Sequence, residues 1–119
     1  MNFECALDEG ISIADEKLKN IRLLSKLFAE ANEPDLLISY YEIKSDLTKI
    51  QRQCLIAVRK GNLRILPILQ KRHNDLLYQS TELLDNLVAT HEGQEGFYLE
   101  EMKSLKNAKE VIDELCEDN

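Results

Sequence analysis

Glu110 and Asp113 stand one helical turn apart near the end of this 119-residue chain, the spacing at which two carboxylates on one helix face can hold a divalent cation. A second carboxylate pair to complete such a site would have to be Glu92 and Glu95, which straddle Gly93 in a segment that reads as a loop. That departure from helical spacing argues against a metal centre. His73 falls on an apolar stripe, where a satisfied buried imidazole is expected, and His91 lies in the loop without Cys or carboxylate at ligand spacing. Cys5, Cys54 and Cys116 form no CxxC pair and are odd in number, so reduced thiols are expected. Cys54 sits on a stripe as a small core residue. Cys116 lies among acids that raise a thiol pKa, which makes it a poor nucleophile. No Gly-rich phosphate loop, nucleophile elbow or Glu-x-x-His pair occurs. The residues therefore predict no enzyme, no metal and no cofactor.

The elements that would position these groups are helices. A chain 44% hydrophobic and 31% charged, with no Trp, four Gly and two Pro, favours long helices over a turn-rich β fold. A first helix is expected over Ser12 to Glu30, with Ser12 as N-cap, Gly10 opposing extension upstream, and a stripe of Ala14, Leu18, Ile21, Leu24, Leu27 and Phe28. A break at residues 31 to 33 and Pro34 in the next first turn make the second helix an antiparallel neighbour. Its stripe is Leu36, Tyr40, Ile43, Leu47, Ile50, Cys54 and Ala57, and it ends on Arg59, Lys60 and Gly61. A third stripe follows Asn62 with Leu66, Leu69, His73, Leu76, Ser80, Leu83 and Leu87, preceded by a short turn or bend at Pro67. After a loop from His91 to Gly96, a fourth helix over Phe97 to Cys116 faces inward with Tyr98, Met102, Leu105, Ala108, Ile112 and Leu115. Short connections and a period near 3.5 predict one all-α domain over residues 1–119, a compact antiparallel up-down bundle of three to four helices.

Charge is unevenly spread over that bundle. From Glu92 to Asn119 nine acids face three lysines, a net of −6 within a total of −7, whereas Lys44 to Arg72 carries eight bases and one acid. The segment 97–117 is accordingly expected to be a detachable acidic helix. Nucleic-acid binding is disfavoured by the acidic total and the lack of an aromatic platform or zinc-finger spacing. Apolar runs are far too short for a membrane span. The N-terminal ten residues carry acids and no basic segment, so a secretory signal is not expected and a cytoplasmic location is.

A protein partner remains as the expected ligand. The second and third helices are expected to form a groove for an amphipathic helix, with Leu47 in its framework and Tyr40, Tyr41 and Tyr78 as exposed aromatic contacts. The alternative is a small acidic inhibitor or regulator, of the phage-inhibitor, antitoxin or immunity kind. There Glu110, Asp113, Glu114 and Glu117 would cover a basic surface on the target. Either a monomer or a homodimer would bury the same stripes.

The stretches LLSKLFAEAN, EPDLLISYYEIKSDLTKIQ and ILPILQKRHNDLLYQSTELLDNL, spanning about Ile21 to Leu87, resemble FliT-type flagellar export chaperones. The resemblance implies a chaperone that binds a C-terminal helical segment of a flagellar secreted subunit and delivers it to type III export. It also implies a last helix that masks the binding surface. Glu110 and Asp113 are similar to half of the metal site of all-α nucleotide pyrophosphohydrolases, with the missing half noted above.

Overall fold

A glycine ten residues from the start does not stop the first helix. In the computed structural model, which describes residues 3–31 and 35–117, helix α1 runs Phe3–Glu30, α2 Asp35–Lys60, α3 Leu66–Thr90 and α4 Glu95–Glu117. A 3₁₀ turn, Leu63–Ile65, leads into α3, and no strand occurs among the described residues. Helix α1 passes through Gly10 because it lies close on α2 there: a Cβ on Gly10 would stand 3.1 Å from Leu55 Cδ1. One turn upstream Leu7 is buried, and Arg59 at the end of α2 reaches Asp8 and Glu4. Burying a leucine gains roughly 2 kcal/mol, which outweighs the ~1 kcal/mol that glycine costs a helix interior. Ser12 is thus an interior residue and not the expected N-cap. Leu27, expected on the stripe, is 48% exposed, because α2 covers the face defined by Leu7, Ala14, Leu18 and Ile21.

The other punctuation follows the chain chemistry more closely. Gly61, at φ +76°, closes α2: its N–H donates to Val58 O and the Asn62 N–H donates to Ala57 O. That pair satisfies two carbonyls the helix end would otherwise leave open. Pro67 sits in the first turn of α3, directly after the 3₁₀ turn, where its missing N–H has no helical partner to lose. Gly93, at φ +80°, turns the chain between α3 and α4, and Gly96 is already helical. Pro34 and the break at 32 and 33 lie outside the described residues.

Neighbouring helices run antiparallel. Arg52 meets Asp15, Tyr41 meets Phe28, Gln51 meets His73, and Gln70 meets Asp113, each pair joining the earlier part of one helix to the far part of its neighbour. The result is an up-down-up-down bundle of 45 × 23 × 23 Å, the all-α fold expected. Its core has two ends. One is aliphatic, with Leu7, Ile50, Cys54, Leu66, Leu69 and Ile112; the other is aromatic, with Tyr40, Tyr41, Phe28 and Phe97 packed around Ile21, Leu77, Leu84 and Leu105. No described helix is long and apolar enough to cross a membrane.

Candidate partner-binding groove

Three of the four sides of this bundle are closed. Helix α2 packs on α1 and α3, and α4 packs on α3 and, across the diagonal, on α2. Helices α1 and α4 do not meet: among the described residues no Cα of one comes within 8 Å of a Cα of the other. The open seam is a cleft of about 710 Å³ with α2 as its floor.

The two walls explain why the seam stays open. Helix α1 presents Gly10, Ile13, Lys17, Asn20 and Leu24 to it, and α4 presents Glu100, Lys103, Ser104, Asn107 and Val111. The α1 wall is apolar at both ends and polar in the middle, and the α4 wall is polar except at its Val111 end. Bringing them together would strip water from Lys17, Asn20, Ser104 and Asn107, at a cost of about 1–3 kcal/mol for each group left without a new partner. The bottom of the cleft, by contrast, is largely apolar: Leu47 and Leu55 of α2 line it with Ile21 from the foot of α1 and Leu105, Ala108 and Ile112 from the foot of α4, beside Thr48 and Gln51 of α2. Thr48 donates to Lys44 O, and the Gln51 amide lies 3.1 Å from His73 Nε2.

Glu101 fixes α4 over the floor at the aromatic end. Its Oε1 accepts the Tyr40 hydroxyl at 2.7 Å and the Lys44 ammonium, so one carboxylate oxygen serves a buried phenol and a half-buried cation. Burial, reinforced by that hydrogen bond, raises the Tyr40 pKa far above its usual value, and burial raises Tyr41 to about 12. Farther along α4, Asp113 accepts from Lys109 Nζ at 2.5 Å and from Gln70 Nε2 at 2.9 Å. These bonds, that to Lys109 first, hold its carboxyl below the usual range. Beneath it His73 is fully buried, which pushes its pKa down to about 4, and its Nδ1 has no hydrogen-bond partner among the described residues.

These positions revise the expected site. Tyr40 and Tyr41, expected as exposed contacts, are 0% and 8% exposed. Adjacent residues on one helix cannot share a face, but Phe28 from α1 and Phe97 from α4 wall the tyrosines on both sides, so both are enclosed. Leu47 is buried and, with Tyr41, lines the floor of the cleft. Tyr78 is exposed, on α3 and away from the seam. The expected groove between α2 and α3 is filled by their direct packing; the cleft lies between α1 and α4 instead. Lys17, Asn20, Ser104 and Asn107 escaped the sequence reading, although each pair is a polar i, i+3 step flanking a stripe.

The acidic set is split. Glu110, Glu114 and Glu117 are exposed on α4, whereas Asp113 turns toward α3. Glu95 begins α4, Glu92 lies in the loop, and no group of three or more metal-ligating side chains gathers among the described residues. His91 is half-buried with Nδ1 2.8 Å from Thr90 Oγ1. Burial raises Cys54 to about 12, and burial more than Asp113 raises Cys116, whose thiol lies 3.8 Å from Leu66 O. No protein-family model, curated protein or solved structure matches the chain.

Proposed function

We propose that the chain is a non-enzymatic chaperone or adaptor that holds one amphipathic helix of another protein in the cleft between α1 and α4. The observation that carries this reading is the open seam itself: a bundle with four helices keeps an apolar floor uncovered because its own walls are too polar to close. A helix from a partner would complete the bundle, which is the helix-in-groove mode of recognition. The resemblance to FliT-type chaperones supplies a candidate, a C-terminal helical segment of a flagellar secreted subunit met in the cytoplasm before export. In this reading α4 is a wall of the site and stays docked when the partner binds.

Ile13 of α1 and Val111 of α4 both line the cleft and are 49% and 52% exposed, so polar substitutions there spare the core. Calorimetric titration of the full chain with the candidate helical segment should show saturable binding that Ile13→Asp/Val111→Asp abolishes at unchanged thermal stability. Unchanged affinity in that variant rejects the groove. If instead α4 masks the surface, as in the family resembled, a folded 1–92 truncation binds more tightly than the full chain.

The exposure of Glu110, Glu114 and Glu117 favours a second reading, an acidic inhibitor or regulator that covers a basic surface. Its binding would fall steeply with salt and vanish in E110K/E114K/E117K, which leaves the groove intact.

A further inference from the structure

The cleft is locally cationic in an acidic protein. Three lysines and two glutamates line it, whereas the whole chain carries −7. The glutamates are not equivalent. Glu101 is consumed by Tyr40 and Lys44, which also removes Lys44 from the reckoning. Lys17 on the α1 wall and Lys103 on the α4 wall are exposed and, among the described residues, neither makes an ion pair or hydrogen bond. Asn20, Ser104 and Asn107 beside them are likewise unengaged among the described residues. Glu100 is the remaining acid of the lining, makes no ion pair among the described residues, and stands one residue from Glu101 at the aromatic end.

A helix laid on the floor would place the positions flanking its apolar stripe against these walls. The α1 wall runs from Gly10 to Leu24, a rise of about 21 Å, which matches a guest helix of about four turns. Its flanks would meet Lys17 on one side and Lys103 on the other, with amide and hydroxyl groups between. We infer that the cleft selects an acidic amphipathic helix of about four turns, with a carboxylate on each flank received by Lys17 and Lys103. The inference rests on the groove reading above and adds the chemistry of the guest. Carboxylates suit this station because each can accept from a lysine and from a neighbouring Asn or Ser at once. A lysine-flanked guest would meet two like charges instead, Lys17 and Lys103.

The test uses the full chain and three synthetic peptides of about 15 residues that share a leucine stripe and carry Glu, Gln or Lys at both flanking positions. Calorimetry should rank Glu above Gln above Lys, with the extremes about tenfold or more apart, the size expected of two exposed charge pairs. Lys17→Glu/Lys103→Glu should invert the order, and raising salt to about 1 M should compress it. Both residues are surface positions, and circular dichroism and melting of the variant establish that it folds. Equal affinities for the three peptides, or an order that survives the charge reversal, overturn the acidic guest while leaving a groove that binds helices. Absence of binding by every peptide to the folded chain overturns the groove reading and this inference together. Sedimentation that shows a dimer dissociated by I13D/V111D overturns it in favour of a second copy as occupant.

Discussion

Helices α1 and α4 flank the same floor but are held to the bundle in different ways. Helix α1 buries Leu7, Ala14, Leu18 and Ile21 along α2 and is tied at its rim by Arg52–Asp15 and Arg59–Asp8, pairs that stand in water. Helix α4 buries only Leu105 and Ile112 and is tied by Glu101 and Asp113, carboxylates whose bonds are partly buried. A long apolar stripe makes the charges on α1 dispensable. A short one leaves α4 dependent on a few groups, each of which matters more because removing it strands a buried partner.

The largest effect expected from this difference is at Ile112, 1% exposed and the more enclosed of the two buried anchors of α4. Ile112→Ala should cost about 3 kcal/mol in urea unfolding, the usual range for a truncated core aliphatic. Hydrogen exchange should show α4 amides losing protection before those of α1. Uniform loss across both helices would mean that α4 is no more dependent than α1.

The next is a pH effect beneath α4. His73 has its pKa pushed from 6.5 to about 4 by burial, with Asp113 opposing and Lys109 adding to the shift. The unfolded chain therefore takes up a proton below pH 6.5 that the folded chain refuses until about pH 4, so stability falls as pH drops through that window. The loss reaches at most about 3 kcal/mol near pH 4, a shift of one unit being about 1.4 kcal/mol. Urea midpoints between pH 7 and pH 5 should fall for the wild-type chain and stay nearly level for His73→Gln, in which position 73 has no proton to exchange. A slope that persists in the variant places the titration elsewhere.

How much of this was legible in the sequence follows the same division. Stripes such as Ile50, Cys54 and Ala57 on α2 or Leu66, Leu69 and His73 on α3 were visible because each helix buries one continuous face. The Gly61 cap was visible because its chemistry is local. The burial of both Tyr40 and Tyr41 was not, since it depends on Phe28 and Phe97 arriving from opposite sides. Nor was the open seam, because a stripe shows that a helix is covered and not which neighbour covers it. The course of α1 through Gly10 was hidden for a similar reason: propensity argues against it locally, and packing on Leu55 decides it.

At Glu101 a single carboxylate, more than apolar area, holds α4 on α2. Glu101→Ala leaves the Tyr40 hydroxyl, in a residue with no exposed surface, without its acceptor and Lys44 without its counter-ion. Both side chains of the ion pair retain some exposure, 21% and 14%, which moderates the penalty. A loss of about 2 kcal/mol is expected, within the range for hydrogen bonds to a charged group. Glu101→Gln should recover part of it, since its amide oxygen still accepts from the phenol. Equal losses in the two variants would show that packing, not the hydrogen bond, holds α4 at that end.

Arg52 and Asp15 provide the contrast on α1. Their contact is 2.6 Å, shorter than the Tyr40–Glu101 bond, yet the side chains are 37% and 50% exposed. Geometry alone would rank the two alike; solvation separates them. Water screens the pair and serves either partner when the other is removed, so a double-mutant cycle of Arg52→Ala and Asp15→Ala should give a coupling below about 1 kcal/mol that shrinks further in high salt. A coupling as large as the loss at Glu101 would show that α1 leans on its rim charges as heavily as α4 does on its buried ones. The stripe of Leu7, Ala14, Leu18 and Ile21 would then have to contribute less than its burial implies. A small coupling leaves the α1 rim free to carry charge for other purposes, which is what Lys17, two residues from Asp15, needs if it is to meet a guest helix instead of a neighbour in its own chain.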